Sequence, residues 1–286
     1  MIVLGCGDVG LRFARAFSGR LRIVGVVRRD EALAGVRDAG ARPVRADLVE
    51  RRTLARLAGL GRYVLHSAPP PAEGRDDPGT RRALGALHGA RHWVYLSTTG
   101  VYGDCGGARF DETRALAPAN DRAVRRVAAE RALRARAASG AIRSTVLRVP
   151  GIYAAQRLPL ERLSRGTPAL IDADDVYTNH VHADDLARIA FAALLRGRSQ
   201  RTVHAVDDSS MKMGEYFDAV ARAYGMPPPP RLPREALRTA VSPMLWSFMS
   251  ESRQLDNRRL HRELRVRLRL PTVAAFLRAH GSSSAS

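Results

Sequence analysis

Short apolar runs alternate with longer stretches of mixed polarity along the first half of the chain. Residues 1–17 (MIVLGCGDVGLRFARAF) open on an apolar run and pass three glycines, Gly5, Gly7 and Gly10. They continue with Val9, Phe13, Ala16 and Phe17 spaced as on one helix face. Four further apolar runs, at 21–27 (LRIVGVV), 41–48 (ARPVRADL), 62–68 (RYVLHSA) and 92–98 (HWVYLST), predict strands. Helical spacing falls between them around Glu31–Ala39, Arg51–Leu57 and Thr80–Gly89. A long helix over Asn120–Ala138 precedes a sixth strand at Ile142–Val149. Strands and helices in alternation predict an α/β fold whose parallel sheet is covered on both faces.

The glycines give this frame a ligand. G-x-G-x-x-G between a strand and a helix is the dinucleotide fingerprint. Gly5 permits the tight turn, Gly7 lets the backbone approach a pyrophosphate, and Gly10 lets the helix pack on the strand. The helix N-terminus, with Asp8 and Val9, then offers N–H groups to phosphates. The prediction is a Rossmann-type doubly wound sheet with a small C-terminal substrate-binding lobe. Residues 1–150 form the dinucleotide domain and 176–206 return to it. Residues 151–175 and 207–280 form the lobe, with MPPPPRLP (226–233) as a stiff link, and 281–286 form a disordered tail.

Ligands of such sheets lie beyond the carboxyl ends of the strands. That rule gathers Gly5–Gly10, Arg28–Arg29, Asp47, His66–Pro71 and Ser97–Thr99 around one crevice. The second strand ends in Arg28 and Arg29, where an NAD site usually carries an acid. Guanidinium groups pair with a 2′-phosphate, so NADP is the expected cofactor, with NAD as the alternative if the two arginines are merely solvated. Asp47 and Leu48 are expected near the adenine, and Ser67, Ala68 and Pro69 on the nicotinamide side.

Composition narrows the classes. The 286 residues are 45% hydrophobic, and no apolar run approaches the ~20 residues of a membrane span. The first strand starts at once, so no signal peptide is expected, and two cysteines, Cys6 and Cys105, make no disulfide framework. A reducing cytoplasm is the expected setting, without a membrane partner. The net charge is +19, yet of 47 basic residues only Lys212 is lysine. Arginine replaces lysine throughout and is scattered without aromatic interleaving, which reads as compositional bias. No specific nucleic-acid partner is expected, only salt-sensitive adhesion to polyanions.

At Ser97-Thr98-Thr99-Gly100-Val101-Tyr102-Gly103, then Asp111-Glu112, the chain resembles the extended short-chain dehydrogenase/reductases, the NAD-dependent epimerase/dehydratase family. Leu147–Tyr153 (LRVPGIY) and Asn179–Leu186 (NHVHADDL) continue the likeness, which spans nearly the whole chain. The resemblance implies a small-molecule substrate, a nucleotide-sugar among the candidates. It also implies a hydroxyl at Thr98 on the reacting oxygen, and structural roles for His182 and Asp184. Many relatives pair through the helices after the fourth and fifth strands, which makes a homodimer one implied assembly.

Two departures stand out. The family's Tyr-x-x-x-Lys helix carries Arg122 and Arg126 at those positions, counted back from Glu130. The glycine spacing is also one residue shorter. Both resemble an atypical subgroup that keeps the nucleotide site without the usual acid/base. Arginine stays protonated, so Arg122 cannot cycle a proton, while Arg126 retains donors for a cofactor ribose. Candidates for the missing role are Tyr102 and Tyr153. Arg148, Arg157, Arg162 and Arg165 fall near the mouth of the lobe. Two functions follow: an NADP-dependent oxidoreductase or epimerase on a sugar-nucleotide or small carbonyl compound, or a non-catalytic NADP(H)-binding sensor.

Overall fold

Ile2, Val3 and Leu4 are wholly buried because β1 (Ile2–Leu4) runs through the middle of the sheet, with side chains sent to both faces. The computed structural model describes residues 1–281. From β1 the chain passes through α1 (Asp8–Phe17), β2 (Val24–Val27), α2 (Ala32–Asp38), β3 (Arg42–Arg45) and α3 (Arg51–Leu54). Then come β4 (Tyr63–His66), α4 (Pro78–Ala86), β5 (His92–Thr98), α5 (Asp121–Ala138) and β6 (Arg143–Val149). After an excursion it returns through α6 (Ala183–Arg196) to β7 (Arg201–His204). The seven strands pair in the order β7-β6-β5-β4-β1-β2-β3, all parallel. The chain reverses direction across the sheet between β1 and β4, the switch point at which such sheets bind ligands.

Two cores sandwich the sheet. Strand alternation sends Val3, Leu65, Val94, Leu96 and Leu147 against α1, α2 and α6, where Phe13, Phe17 and Ile189 meet them. It sends Ile2, Leu4, Val64, Trp93 and Tyr95 against α3, α4 and α5. Phe13 and Phe17 lie one turn apart on α1, which is why that helix presents a single apolar face. Each such fully buried side chain contributes about 1.5–3 kcal/mol of transfer free energy. Capping sets the helix starts: Asp77 accepts from Thr80 N (3.0 Å) before α4, and Asn120 from Ala123 N (3.0 Å) before α5.

A third core, built on Tyr153, Leu163, Leu170, Phe217, Val220 and Phe276, lies between 153 and 277. Short paired strands carry the chain to and from it: Gly151–Tyr153 runs parallel to His180–His182, and Tyr177–Thr178 antiparallel to Met211–Lys212. Asp185 in α6 accepts from the backbone N–H groups of Arg269 and Leu270, tying the C-terminal segment to the sheet layer.

Expected and observed elements differ at their ends. The second strand begins at Val24 rather than Leu21, and the 51–57 helix is one α turn followed by a 3₁₀ turn over Ala55–Leu57. The edge strand β7 carried no apolar signature, because its buried His204 and Thr202 are polar and satisfied by partners. Residues 282–286 of the expected tail lie outside the described residues. Among the described residues no helix is long and apolar enough to cross a membrane.

Candidate active site

The tips of β1, β2 and β4 lock together around the glycine turn. Val26 O accepts from both Gly5 N (3.1 Å) and Cys6 N (2.9 Å), and Ser67 Oγ donates to Leu4 O (3.1 Å) and Gly5 O (3.0 Å). Gly5 sits at φ +76°, and a Cβ there would lie 2.4 Å from Ala68 Cα. At Gly10 a Cβ would press on Val3 Cγ1 at 3.0 Å. Gly7 is different: a Cβ would meet no protein atom within 4 Å, and no side chain caps α1. The open approach to free helix-terminal N–H groups suits a phosphate, so these residues fit the dinucleotide expected of them. Burial pushes the Cys6 thiol up to about 11, which leaves it an inert packing group.

Around this turn, Val9 is buried and Asp8 is paired with Arg12 (3.0 Å) and with Arg157 Nε (2.9 Å). Arg28 and Arg29 are exposed at the tip of β2. The first carboxylate beyond them, Asp30, is held by Arg45 at 2.9 Å. Asp47 turns back to accept from Val49 N (2.9 Å), and Leu48 packs over Gly79. Ala68 is buried and Pro69 exposed beside the turn.

Beyond β5 and β6 opens a cavity of about 470 Å³. Thr98 lines it from the sheet side and Arg122 and Ala123 from the start of α5. Tyr153, Arg157, Arg162, His180, Tyr216, Phe217, Phe248, Glu251 and Arg253 complete much of its wall. Thr98 Oγ1 accepts from Gly100 N (3.2 Å), capping the following 3₁₀ turn, and keeps its own hydrogen to donate. Burial pushes the imidazole of His180 down to about 3, and its Nδ1 has no partner.

Three expected site residues turn elsewhere. Tyr102 is buried, away from the cavity wall. His204 Nδ1 donates to Asp256 O (2.9 Å), so its Nε2 must accept from Tyr102 Oη (2.7 Å), which also receives Arg148 Nη1 (2.5 Å). Burial pushes Tyr102 up to about 12 and His204 down to about 4. Ser97 donates to Glu130 (2.6 Å), which with Arg148 forms a buried ion pair at 2.8 Å, so this hydroxyl serves the core rather than the crevice. Tyr153 borders the cavity, yet its hydroxyl donates to Leu270 O (3.4 Å) beside Asp207, and burial raises its pKa.

Arg126 extends one amino group to Leu96 O (2.8 Å) and Tyr95 Oη (3.1 Å), anchoring α5 to β5. Beside it His66 joins a buried chain, His66 Nε2 to Thr80 Oγ1 (2.8 Å) to Asp77 Oδ2 (2.7 Å). Of the arginines expected at the mouth, Arg157 and Arg162 line the cavity. Arg148 is buried with Glu130, and Arg165 pairs with Glu161 at the surface. His182 and Asp184 take part in packing: Asp184 pairs with Arg12 (2.6 Å), and His182 lies against Tyr153 and Phe276. Sequence reasoning missed Tyr216, Phe248, Glu251 and Arg253, which converge from distant segments with no motif of their own, and gave no site role to His180 within NHVHADDL.

The family model described as "NAD dependent epimerase/dehydratase family" matches residues 1–206. No curated protein matches the chain. Among solved structures it is similar to a functionally unknown conserved protein from Silicibacter pomeroyi (28% identity, 97% of this chain and 96% of that one, TM-score 0.82). It is similar in fold to the UDP-glucose 4-epimerase of Thermotoga maritima, solved with UDP-glucose (17%, 98% and 97%, TM-score 0.80). The dTDP-glucose 4,6-dehydratase of Streptomyces venezuelae, solved as a double mutant with NAD, shares the fold too (20%, 99% and 97%, TM-score 0.78).

Proposed function

From the premise that this chain belongs to the NAD dependent epimerase/dehydratase family, we propose that it is an NADP(H)-dependent oxidoreductase acting on a carbonyl compound in the cavity beyond β5. The observation that carries this reading is the placement of Thr98 and Arg122 on one cavity, at the carboxyl end of a sheet whose glycine turn leaves Gly7 open. Gly5, Gly7, Gly10, Asp8 and Val9 would hold the diphosphate end of the cofactor. Arg28 and Arg29 would take the 2′-phosphate, a preference supported by Arg45 neutralising Asp30. The cofactor supplies or accepts a hydride.

The protein's part is to orient and to stabilise charge. Thr98 would donate a hydrogen bond to the carbonyl oxygen, and the positive charge of Arg122 on the same cavity wall would favour negative charge developing there. Reduction adds one hydride and one proton to the carbonyl to give an alcohol. Arg122 stays protonated, so the proton comes from water. Epimerisation needs a base that removes the hydroxyl proton, and Arg122 cannot act as one. A nucleotide-sugar remains one substrate class by likeness to the fold relatives.

Calorimetry of NADPH and NADH at moderate salt, on wild type and Arg28→Glu, tests the cofactor. NADPH should bind tightly and weaken by roughly ten- to a hundredfold in the variant, the worth of a charge-assisted bond. Equal affinity for NADH would overturn the 2′-phosphate assignment, and no binding of either would overturn the nucleotide site. The replacement of both Tyr and Lys by Arg122 and Arg126 favours a second reading, an NADP(H) sensor. Tight NADPH binding with no oxidation across a broad carbonyl panel would select it.

A further inference from the structure

The cavity wall carries four arginines, Arg122, Arg157, Arg162 and Arg253, against two acids, Glu161 and Glu251. Both acids are taken: Glu251 by Arg253 (2.7 Å) and Glu161 by Arg165 (2.5 Å). Arg157 is held by Asp8. Arg122 and Arg162 have no carboxylate within salt-bridge distance among the described residues.

What these two touch instead is apolar. The Arg162 guanidinium lies 4.6 Å from the centre of the Phe217 ring, with Nη2 3.5 Å from Met249 Sδ and a buried Nε that has no partner. The Arg122 guanidinium lies 4.4 Å from the centre of the Phe248 ring. Burial lowers the pKa of both groups, helped at Arg122 by the neighbouring Arg126 charge and opposed there by Glu251. A ring face attracts the charge but leaves the in-plane N–H donors unpaired. Contact with a ring also restricts each guanidinium, which lowers the entropy cost of closing it on a planar or tetrahedral oxyanion. Arg122 stands in the first turn of the 18-residue helix α5, whose positive end adds to the same field.

We propose that the cavity binds its substrate through an anionic group, a carboxylate or a phosphate, held by Arg122 and Arg162. This rests on reading the cavity as the substrate site. The chemistry has two sources, a small oxo acid or the diphosphate of a nucleotide. Because Arg122 lines the same cavity as Thr98, the small acid is favoured, its charge and its carbonyl held in one cavity.

The test is calorimetric titration of 2-oxoglutarate and of UDP into wild type, with and without NADPH. The same titrations run on Arg122→Gln, Arg162→Gln, Arg162→Lys and the control Arg131→Gln, a surface residue of α5 that does not line the cavity. Each variant is first checked for a wild-type melting temperature, and Arg162→Lys keeps the charge should the Gln variant fold poorly. At least one anion is expected to bind wild type and Arg131→Gln alike, to weaken about tenfold or more in each Gln variant, and to recover in part with lysine. Binding of 2-oxoglutarate identifies a small acid, and binding of UDP alone a nucleotide diphosphate. Failure of both anions on the folded protein, or equal binding by the Gln variants, overturns the proposal. Failure of NADPH alone bears on the cofactor site and leaves this result readable.

Discussion

Replacing the three glycines of the first turn by alanine, one at a time, should separate folding from binding. At Gly5 the left-handed backbone costs an alanine about 1–2 kcal/mol. The new Cβ would meet Ala68 Cα at 2.4 Å, a backbone contact that no rotamer relieves, which adds about 1–3 kcal/mol. The sum, roughly 2–5 kcal/mol, is a large part of the ~5–15 kcal/mol that holds a domain together, and in a chain of 286 residues should lower the melting temperature by roughly 3–8 °C. At Gly10 a 3.0 Å contact with Val3 Cγ1 opposes the ~1 kcal/mol that alanine gains over glycine inside a helix, and the two nearly cancel. Gly7 has φ −86° and ψ −154° and open space ahead, so stability should fall by no more than about 1 kcal/mol, the preference for glycine over alanine at an N-cap. Its methyl group enters the phosphate cradle, and NADPH affinity should fall at least about tenfold, or ~1.4 kcal/mol. Thermal melts by circular dichroism and NADPH calorimetry on the three variants make the assay. Wild-type NADPH binding by a well-folded Gly7→Ala, or a wild-type melt from Gly5→Ala, would refute the reasoning.

Glu130→Ala should strand the buried Arg148 without its partner and cost about 3–5 kcal/mol, read as a lower urea midpoint. Acid should destabilise the fold. Burial holds His66 and His180 near 3 and His92 and His204 near 4, all below the usual 6.5. The unfolded chain therefore takes up protons that the folded one refuses, and stability present above pH 6.5 is lost as pH falls towards 4, at up to about 1.4 kcal/mol per unit for each imidazole. Asp207, pushed up to about 7, works the other way between about pH 4 and 7, and burial raises Glu112 and Asp175 in the same sense, while His182, also lowered by burial, joins the four imidazoles. Melting temperatures that rise steadily from pH 6.5 to 5 would contradict this balance.

Much of the sheet was legible because its strands are apolar on both faces. HWVYLST was read as residues 92–98 and is β5 over His92–Thr98. What stayed hidden depends on partners that arrive from far along the chain. Ser97 and Thr98 are neighbours with similar side chains, and strand alternation sends one to Glu130 and the other to the cavity. Tyr102 was placed correctly beyond β5. Its burial follows from His204, a residue 102 positions away, on a strand with no apolar signature. The pairing of arginines is equally invisible in a chain with so many. Arg148 and Arg162 look alike in sequence, yet one is matched in the core and the other is not.

Lys212 is the only lysine in the chain, and its strand pairs directly with Tyr177 on the cavity wall. A fluorophore delivered by an amine-reactive ester thus has one side-chain address, on the residue paired with Tyr177 of the cavity wall, besides the Met1 amine. Few proteins permit such labelling without engineering. Here a bias that makes the charge uninformative about partners supplies an optical reporter for the cavity, with every arginine around it left unmodified.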